Sequence, residues 1–204
     1  MNYLAVLVSG NGTNLQAIID AIESGRLPDT QISVVVSNRR AAYALKRAGR
    51  HGIPTIYHPL RPYRQAGRSR QEYDEDLAQQ LAQYPVDLVI MAGWMHVFTK
   101  AFLKHYPNRM LNIHPALQGA FPGMHGIERA YEAFRKGELD HTGVIVHYVP
   151  DEGVDVGPVI VQRTVPICAE DTLEDLESRV HAVEHEIYVQ AISQVLALSN
   201  AREW

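Results

Sequence analysis

Asn112-Ile113-His114-Pro115, together with Asp155 further along the chain, assembles side chains suited to chemistry on a carbonyl. In Met110-Leu111-Asn112-Ile113-His114 the residues alternate. As a strand, Leu111 and Ile113 face one side, while Met110, Asn112 and His114 share the other. An amide and an imidazole side by side at a strand's C-terminal end can donate to one developing oxyanion, an effect typically worth about 10²–10³ in rate. Pro115 has no N–H, so it stops the ladder and turns the chain outward. Asp155 lies in Asp151-Glu152-Gly153-Val154-Asp155-Val156-Gly157-Pro158, a glycine-punctuated loop able to bend into a cleft. A carboxylate near the ring would orient it and raise its pKa. No nucleophile belongs to this set. Ser9 sits in another motif, and Cys168 lies in an apolar run that reads as a buried, inert thiol. Direct acyl transfer to an incoming amine therefore suits these residues better than a covalent intermediate.

A second motif is Ser9-Gly10-Asn11-Gly12-Thr13-Asn14. A glycine turn between a strand and a helix offers backbone N–H groups and the positive end of the helix dipole to an anion. It lacks the lysine of a Walker A loop and the third glycine of a dinucleotide fingerprint, which leaves a small phosphate monoester or, equally, an ordinary helix cap. Ten histidines raise the question of a metal. His181 and His185 have i, i+4 spacing, but no His-Glu-x-x-His sequence or tight Cys/His cluster is present, and no metal is expected. His125 and His147 read either as cleft donors or as structural residues. The basic group Arg39, Arg40, Lys46, Arg47 and Arg50 falls on or beside an expected helix and reads as a solvated face.

The elements that must position these residues follow from periodicity. Leu4–Val8 is a continuous apolar run, the mark of a strand covered on both faces. Thr13-Asn14-Leu15 opens a helix through Leu15, Ile18, Ile19 and Ile22. Gln31–Ser37 reads as a β-branched strand, Ala41–Ala48 as a helix, Pro54–His58 as a short strand, His58–Gly67 as loop, Gln71–Ala82 as helix and Val86–Met91 as strand. Met110–His114 is expected in the centre of the sheet. A loop from Pro115 to Gly126, a helix around Ile127–Lys136, two strands (Gly143–Val149 and Val159–Val165) forming an antiparallel pair, and a helix over Leu173–Leu198 complete the pattern. Strand–helix alternation implies an α/β, Rossmann-like fold: a mostly parallel twisted sheet with helices on both faces. No repeat or linker divides the chain, so a single domain over 1–204 is expected, with halves meeting near residue 100.

With 46% hydrophobic and 21% charged residues, composition is ordinary for a globular protein, and a net charge of −4 argues against a general nucleic-acid partner. Cys168 is the only cysteine, so no internal disulfide can form. No secretory leader is read at the start, and no apolar run approaches the roughly 20 residues that span a bilayer. A cytoplasmic protein without membrane partners is expected.

Five stretches in this order resemble the phosphoribosylglycinamide formyltransferase family, from Leu4 to about Tyr188. They are Val8-Ser9-Gly10-Asn11-Gly12-Thr13-Asn14-Leu15, Ala92-Gly93-Trp94-Met95, Leu111-Asn112-Ile113-His114-Pro115, Gly153-Val154-Asp155-Val156-Gly157-Pro158-Val159-Ile160 and Arg179-Val180-His181-Ala182-Val183-Glu184-His185. The resemblance implies a formyltransferase-type sheet and transfer of a formyl group from 10-formyltetrahydrofolate to the amine of glycinamide ribonucleotide. It implies Asn112, His114 and Asp155 as the catalytic trio. It places the ribonucleotide at Gly12, Thr13 and Asn14 with His181, Ala182, Val183 and Glu184. It places the folate at Arg70, Met95, His96, Val97, Phe98 and Asn112 and at Asp151, Glu152, Gly153, Val154 and Asp155. Many members carry arginine where His96 stands, and Pro150 is one extra residue between His147 and Asp155. Ala116 and Gln118 also depart from the usual residues. Because the chain starts at the first strand and stops soon after the closing helix, neither the extra domain of a methionyl-tRNA formyltransferase nor that of a formyltetrahydrofolate hydrolase is expected. A noncatalytic nucleotide- or folate-binding module is the reading of a different class, and a monomer or homodimer is expected.

Overall fold

The computed structural model describes residues 1–200. Its elements run β1 (Asn2–Val8), α1 (Thr13–Glu23), β2 (Thr30–Ser37), α2 (Tyr43–Arg50), β3 (Thr55–Tyr57), α3 (Leu60–Gln65), α4 (Arg70–Leu81) and β4 (Leu88–Met91). They continue through α5 (Lys100–Leu103), β5 (Met110–His114), α6 (Gly126–Arg135), β6 (His141–Tyr148), β7 (Val159–Pro166) and α7 (Leu173–Asn200). The strands form one mostly parallel sheet in the order β3-β2-β1-β4-β5-β6-β7. β1 pairs in parallel with both β2 and β4, β2 with β3, and β6 and β7 pair antiparallel, as their sequence pattern implied. β5 is an interior strand one place from the centre.

Two compact units divide the chain inside β5: Met1–Leu111 with Val149–Gly153, and Asn112–Tyr148 with the chain from Val154 onward. In the first, Leu4 to Val8 are wholly buried, so both faces of β1 are covered. Period-two alternation puts Ala5, Leu7, Val34, Val36, Val89 and Met91 into one cluster with Leu77, Ala78 and Leu81 of α4. Trp94, Phe98 and Phe102 extend that cluster as a run of nearly parallel rings, 5.7 and 4.1 Å between successive centroids. α4 begins with a capping box: the Ser69 hydroxyl accepts the Glu72 N–H at 3.1 Å, and the Ser69 N–H donates to the Glu72 carboxylate at 2.8 Å. That cap places Arg70 at the first helical position.

In the second unit, Val144, Ile145 and Val146 of β6 are buried, as are Leu176, Val180, Ile187, Tyr188, Ala191 and Ile192 of α7, which packs on the β6–β7 pair and on α6. The pairing of β6 with β7 slips between Val146 and His147, a bulge of the kind that re-aims a side chain beside a functional site. Two short helices, α3 and α5, are present where no helix was read from sequence; α3 occupies part of the stretch expected to be loop. Among the described residues no helix is long and apolar enough to cross a membrane. The last four of the 204 residues lie outside the description.

Candidate active site

β5 delivers Asn112 and His114 as its alternation requires. Asn112 is half-buried and His114 only 4% exposed. The loop after β6 brings Asp155 to both of them, with a positive φ of 56°. Asp155 Oδ2 stands 3.2 Å from His114 Nδ1 and accepts the Gly123 N–H at 2.9 Å; Oδ1 accepts from Asn112 Nδ2 at 3.0 Å. His114 Nε2 donates to the Phe121 carbonyl at 3.0 Å. Arg129 of α6 holds that carbonyl at 2.6 Å and the Pro122 carbonyl at 2.7 Å. Gly126 packs close to the turn after β5: a Cβ there would press on the Pro115 oxygen at 3.3 Å but only touch His114 Cε1, at 3.7 Å.

His147, re-aimed by the bulge, is the fourth member of this network. Its Nδ1 donates to the Tyr148 carbonyl at 2.8 Å, so in the neutral ring Nε2 is an acceptor, facing Asn112 Nδ2 at 3.2 Å. The Asn112 amide therefore has one orientation: its nitrogen must face the carboxylate and the imidazole. His147 Nε2 is also 3.5 Å from Asp155 Oδ1.

The electrostatics differ from the expectation in one respect. Asp155 was expected to raise the His114 pKa, and its charge does pull that way, as does the Phe121 carbonyl. Burial of the ring is the larger influence and holds the imidazole below its usual 6.5. For Asp155 burial works to raise the pKa, but His147, the Gly123 N–H and the His114 charge prevail and hold the carboxyl below its usual 3.8. Because Nε2–H is directed at the Phe121 carbonyl, the contact of Nδ1 with the Asp155 carboxylate becomes a hydrogen bond only when the ring is protonated, and burial opposes that protonation.

The other expected residues fall into local groups. Gly12 has φ 77° and precedes α1, where no side chain caps the first turn. A Cβ on it would meet Ala44 Cβ at 2.5 Å, so this turn requires glycine. Thr13 is exposed and Asn14 half-buried. Arg70 donates Nε to the fully buried Asp74 at 2.9 Å and a terminal N–H to the Val97 carbonyl at 2.7 Å; Asp74 also accepts the Thr99 N–H at 2.7 Å. The Met95 N–H donates to Ser9 Oγ at 3.1 Å, joining the glycine loop to this segment. Met95 and Val97 are about half exposed, whereas Phe98 turns into the core. His96 meets the Asn38 amide at 3.1 Å. Burial first, then the charges of Arg70, Arg64 and Arg39, push its pKa down to about 4, so the ring is neutral at physiological pH.

Glu152 accepts the Lys100 N–H at 2.8 Å, which anchors the Asp151–Gly153 segment beside Pro150, while Val154 is exposed. On α7, His181 and Ala182 are exposed, Val183 is half-buried and Glu184 is buried. Cys168 is half-buried rather than buried, in a turn before α7 where its N–H donates to Asp171 Oδ2 at 2.7 Å. Among the described residues no three His, Cys, Asp or Glu side chains gather to hold a metal ion. Sequence reasoning missed Phe121, Gly123 and Arg129. Two of the three act through main-chain atoms, and the only signal for them was the Pro122-Gly123 turn.

Comparison with known proteins adds independent findings. A model of the family described as formyl transferase matches residues 2–192. A phosphoribosylglycinamide formyltransferase of Schizosaccharomyces pombe is 45% identical over 200 residues, 95% of this chain and 96% of that protein. The crystal structure of glycinamide ribonucleotide transformylase 1 from Symbiobacterium toebii is similar with a TM-score of 0.86 at 44% identity, over 95% of this chain and 86% of that one. The crystal structure of phosphoribosylglycinamide formyltransferase from Bacillus halodurans has a TM-score of 0.87 at 37% identity, over 96% and 95% of the two chains.

Proposed function

The chain belongs to the formyl transferase family, and we propose that Asn112, His114 and Asp155 carry its reaction by direct, noncovalent transfer. That reaction moves the formyl group of 10-formyltetrahydrofolate to the amine of glycinamide ribonucleotide, a step of purine assembly. The observation that supports the assignment most is the closed set of bonds joining Asn112, His114, Asp155 and His147.

The neutral amine attacks the formyl carbon and the carbonyl electron pair moves onto oxygen. Collapse of the tetrahedral species breaks the bond to the folate nitrogen, which gains a proton as the amine loses one. The donors that this oxygen needs, His114 Nε2–H and the Asn112 amide, are engaged by internal acceptors. A neutral formyl oxygen gains little by displacing the equally neutral Phe121 carbonyl. A developing oxyanion is a far stronger acceptor and captures that donor, together with the Asn112 hydrogen that faces His147, as charge accumulates. Stabilisation is thereby concentrated in the transition state, where it accelerates the reaction. Asp155 holds the ring and the amide in place and, as a carboxylate, takes the proton that leaves the amine before it passes to the folate nitrogen. Proximity of the two substrates supplies much of the remainder.

In the same reading Gly12, Thr13 and Asn14 hold the phosphate, with His181, Ala182, Val183 and Glu184 at the rest of the ribonucleotide. Arg70, Met95, His96 and Val97, with Asp151–Val154, line the folate; Phe98 supports that segment from the core. The uninterrupted family match over residues 2–192 supports one formyltransferase domain over 1–204. A cytoplasmic enzyme of small molecules, monomer or homodimer, without nucleic-acid or membrane partners completes the proposal, and the net charge of −4 supports it.

A spectrophotometric assay with 10-formyltetrahydrofolate, run with and without glycinamide ribonucleotide, tests it. Deformylation that depends on the ribonucleotide, with formylated product seen by mass spectrometry, is the expected result. Formate release independent of the acceptor would instead identify a hydrolase, and binding without turnover a noncatalytic module.

A further inference from the structure

The basic group read as a solvated face is not uniform. Arg39, Arg40, Lys46 and Arg50 are exposed, and three of them lie over aromatic rings: Arg40 over Tyr57 at 5.6 Å, Lys46 and Arg50 over Tyr43 at 5.9 and 5.5 Å. Arg47 is half-buried, and although it too lies over Tyr43, its guanidinium is spent on the glycine loop. Nε donates to the Asn11 carbonyl at 2.9 Å and a terminal nitrogen to Asn11 Oδ1 at 2.8 Å. The other terminal nitrogen donates to Gln16 Oε1 at 3.2 Å. One planar group thus spans the residues that flank Gly12, Thr13 and Asn14. Its helix is seated against the same turn, because the Ala44 N–H donates to the Gly10 carbonyl at 3.2 Å and Ala44 leaves no room for a Cβ on Gly12.

We propose that Arg47 is a positioning residue for the acceptor's phosphate: its fork holds the Asn11–Gln16 turn so that the N–H groups of residues 12–14 converge on a phosphate monoester. The inference rests on the reading of Gly12–Asn14 as the phosphate loop. Three features of the guanidinium suit the role: it is planar, permanently charged and able to grip one residue through two parallel bonds, which lysine cannot do. Its charge adds to the positive end of α1.

The test compares glycinamide ribonucleotide with its phosphate-free riboside in the wild type, Arg47→Gln, Arg47→Lys, Asn11→Ala and Thr13→Asp. Arg47→Gln is expected to raise the ribonucleotide KM about tenfold while kcat and the folate KM stay within about twofold. Its kcat/KM for the riboside should be unchanged. Arg47→Lys should recover only part of the loss, since it restores charge without the fork. Equal losses with ribonucleotide and riboside, or a fall in kcat alone, would overturn the proposal and leave Arg47 a structural residue. Thr13→Asp monitors the underlying reading separately, because a carboxylate beside these N–H groups repels a phosphate held by them. If it leaves the preference for ribonucleotide over riboside intact, the phosphate lies elsewhere and both ideas fall. If it weakens that preference while Arg47→Gln does not, only the Arg47 proposal fails. Should Arg47→Gln not fold, Asn11→Ala decides, as it removes one of the three gripped acceptors. A KM rise confined to the phosphorylated acceptor supports the proposal, and no rise contradicts it.

Discussion

His147 shows how much of the site is set one residue away from the chemistry. It touches Asn112 through a nitrogen whose acceptor role is imposed by the Tyr148 carbonyl on the other side of the ring. Replacing it by phenylalanine keeps the bulk and removes the acceptor, so the Asn112 amide loses one of its two anchors. We expect His147→Phe to lower kcat about ten- to hundredfold, because an imprecisely aimed donor forfeits part of an oxyanion contribution worth about 10²–10³. KM for both substrates should change little, which steady-state kinetics would show; a KM effect without a kcat effect would contradict the role. At this scale the sequence was legible where side-chain type announces chemistry. Asn112 and His114 could be placed on one face by alternation alone, and Asp155 by its glycine-punctuated loop. What remained hidden was carried by main-chain atoms. The Phe121 carbonyl and the Gly123 N–H have no sequence identity, and Phe121 reaches its position through a positive φ of 48° that nothing in its side chain implies.

At the scale of elements, α4 is tied to the segment after β4 by hydrogen bonds. Asp74 is wholly buried and accepts from Arg70 and from the Thr99 N–H, while Arg70 reaches on to the Val97 carbonyl. Asp74→Ala would leave a half-buried guanidinium and a main-chain N–H without their acceptor, at a cost on the order of 3 kcal/mol. Denaturant unfolding would register that loss, and the folate KM should rise while the ribonucleotide KM is spared. An unchanged folate KM in a variant measurably less stable would separate Asp74 from the folate segment. Long periodic elements were legible: α1, α4, α6, α7 and the β6–β7 pair stand within a few residues of their expected positions. α3 was not, because Pro59 and Pro62 obscure a helix of six residues whose prolines fall at its cap and first turn, where they are tolerated.

For the whole molecule, His58 and His114, both buried, and half-buried His96 are expected to shape the response to acid. His58 is 2% exposed and donates to the Tyr73 carbonyl, and burial lowers its pKa; His96 is lowered to about 4 and His114 is also lowered. Each binds its proton less readily when folded than when unfolded. Their neutral forms therefore contribute stability in full above about pH 6.5, and it is lost as pH falls from there toward the folded values. The carboxylates act lower: Asp171, held to about 2 by its Arg179 ion pair, and Asp155 contribute above the usual carboxylate value and lose that contribution below it. The expected profile of Tm against pH is a plateau above about 6.5, a decline to about 4 and a steeper fall beyond. His96→Asn should flatten the first decline, and an unaltered slope would contradict the assignment. The mostly parallel character of the sheet was legible in the alternating elements, but the strand order, the division inside β5 and the return of Val149–Gly153 to the first unit depend on tertiary contacts that no local pattern encodes.

The measurement that bears most directly on the mechanism is turnover by His114→Ala, with binding of glycinamide ribonucleotide to the same preparation determined by calorimetry. The account predicts a kcat lower by at least about 10²-fold and a Kd for the ribonucleotide close to that of the wild type. A variant that binds normally and retains near-wild-type kcat would show that the chemistry does not run through His114.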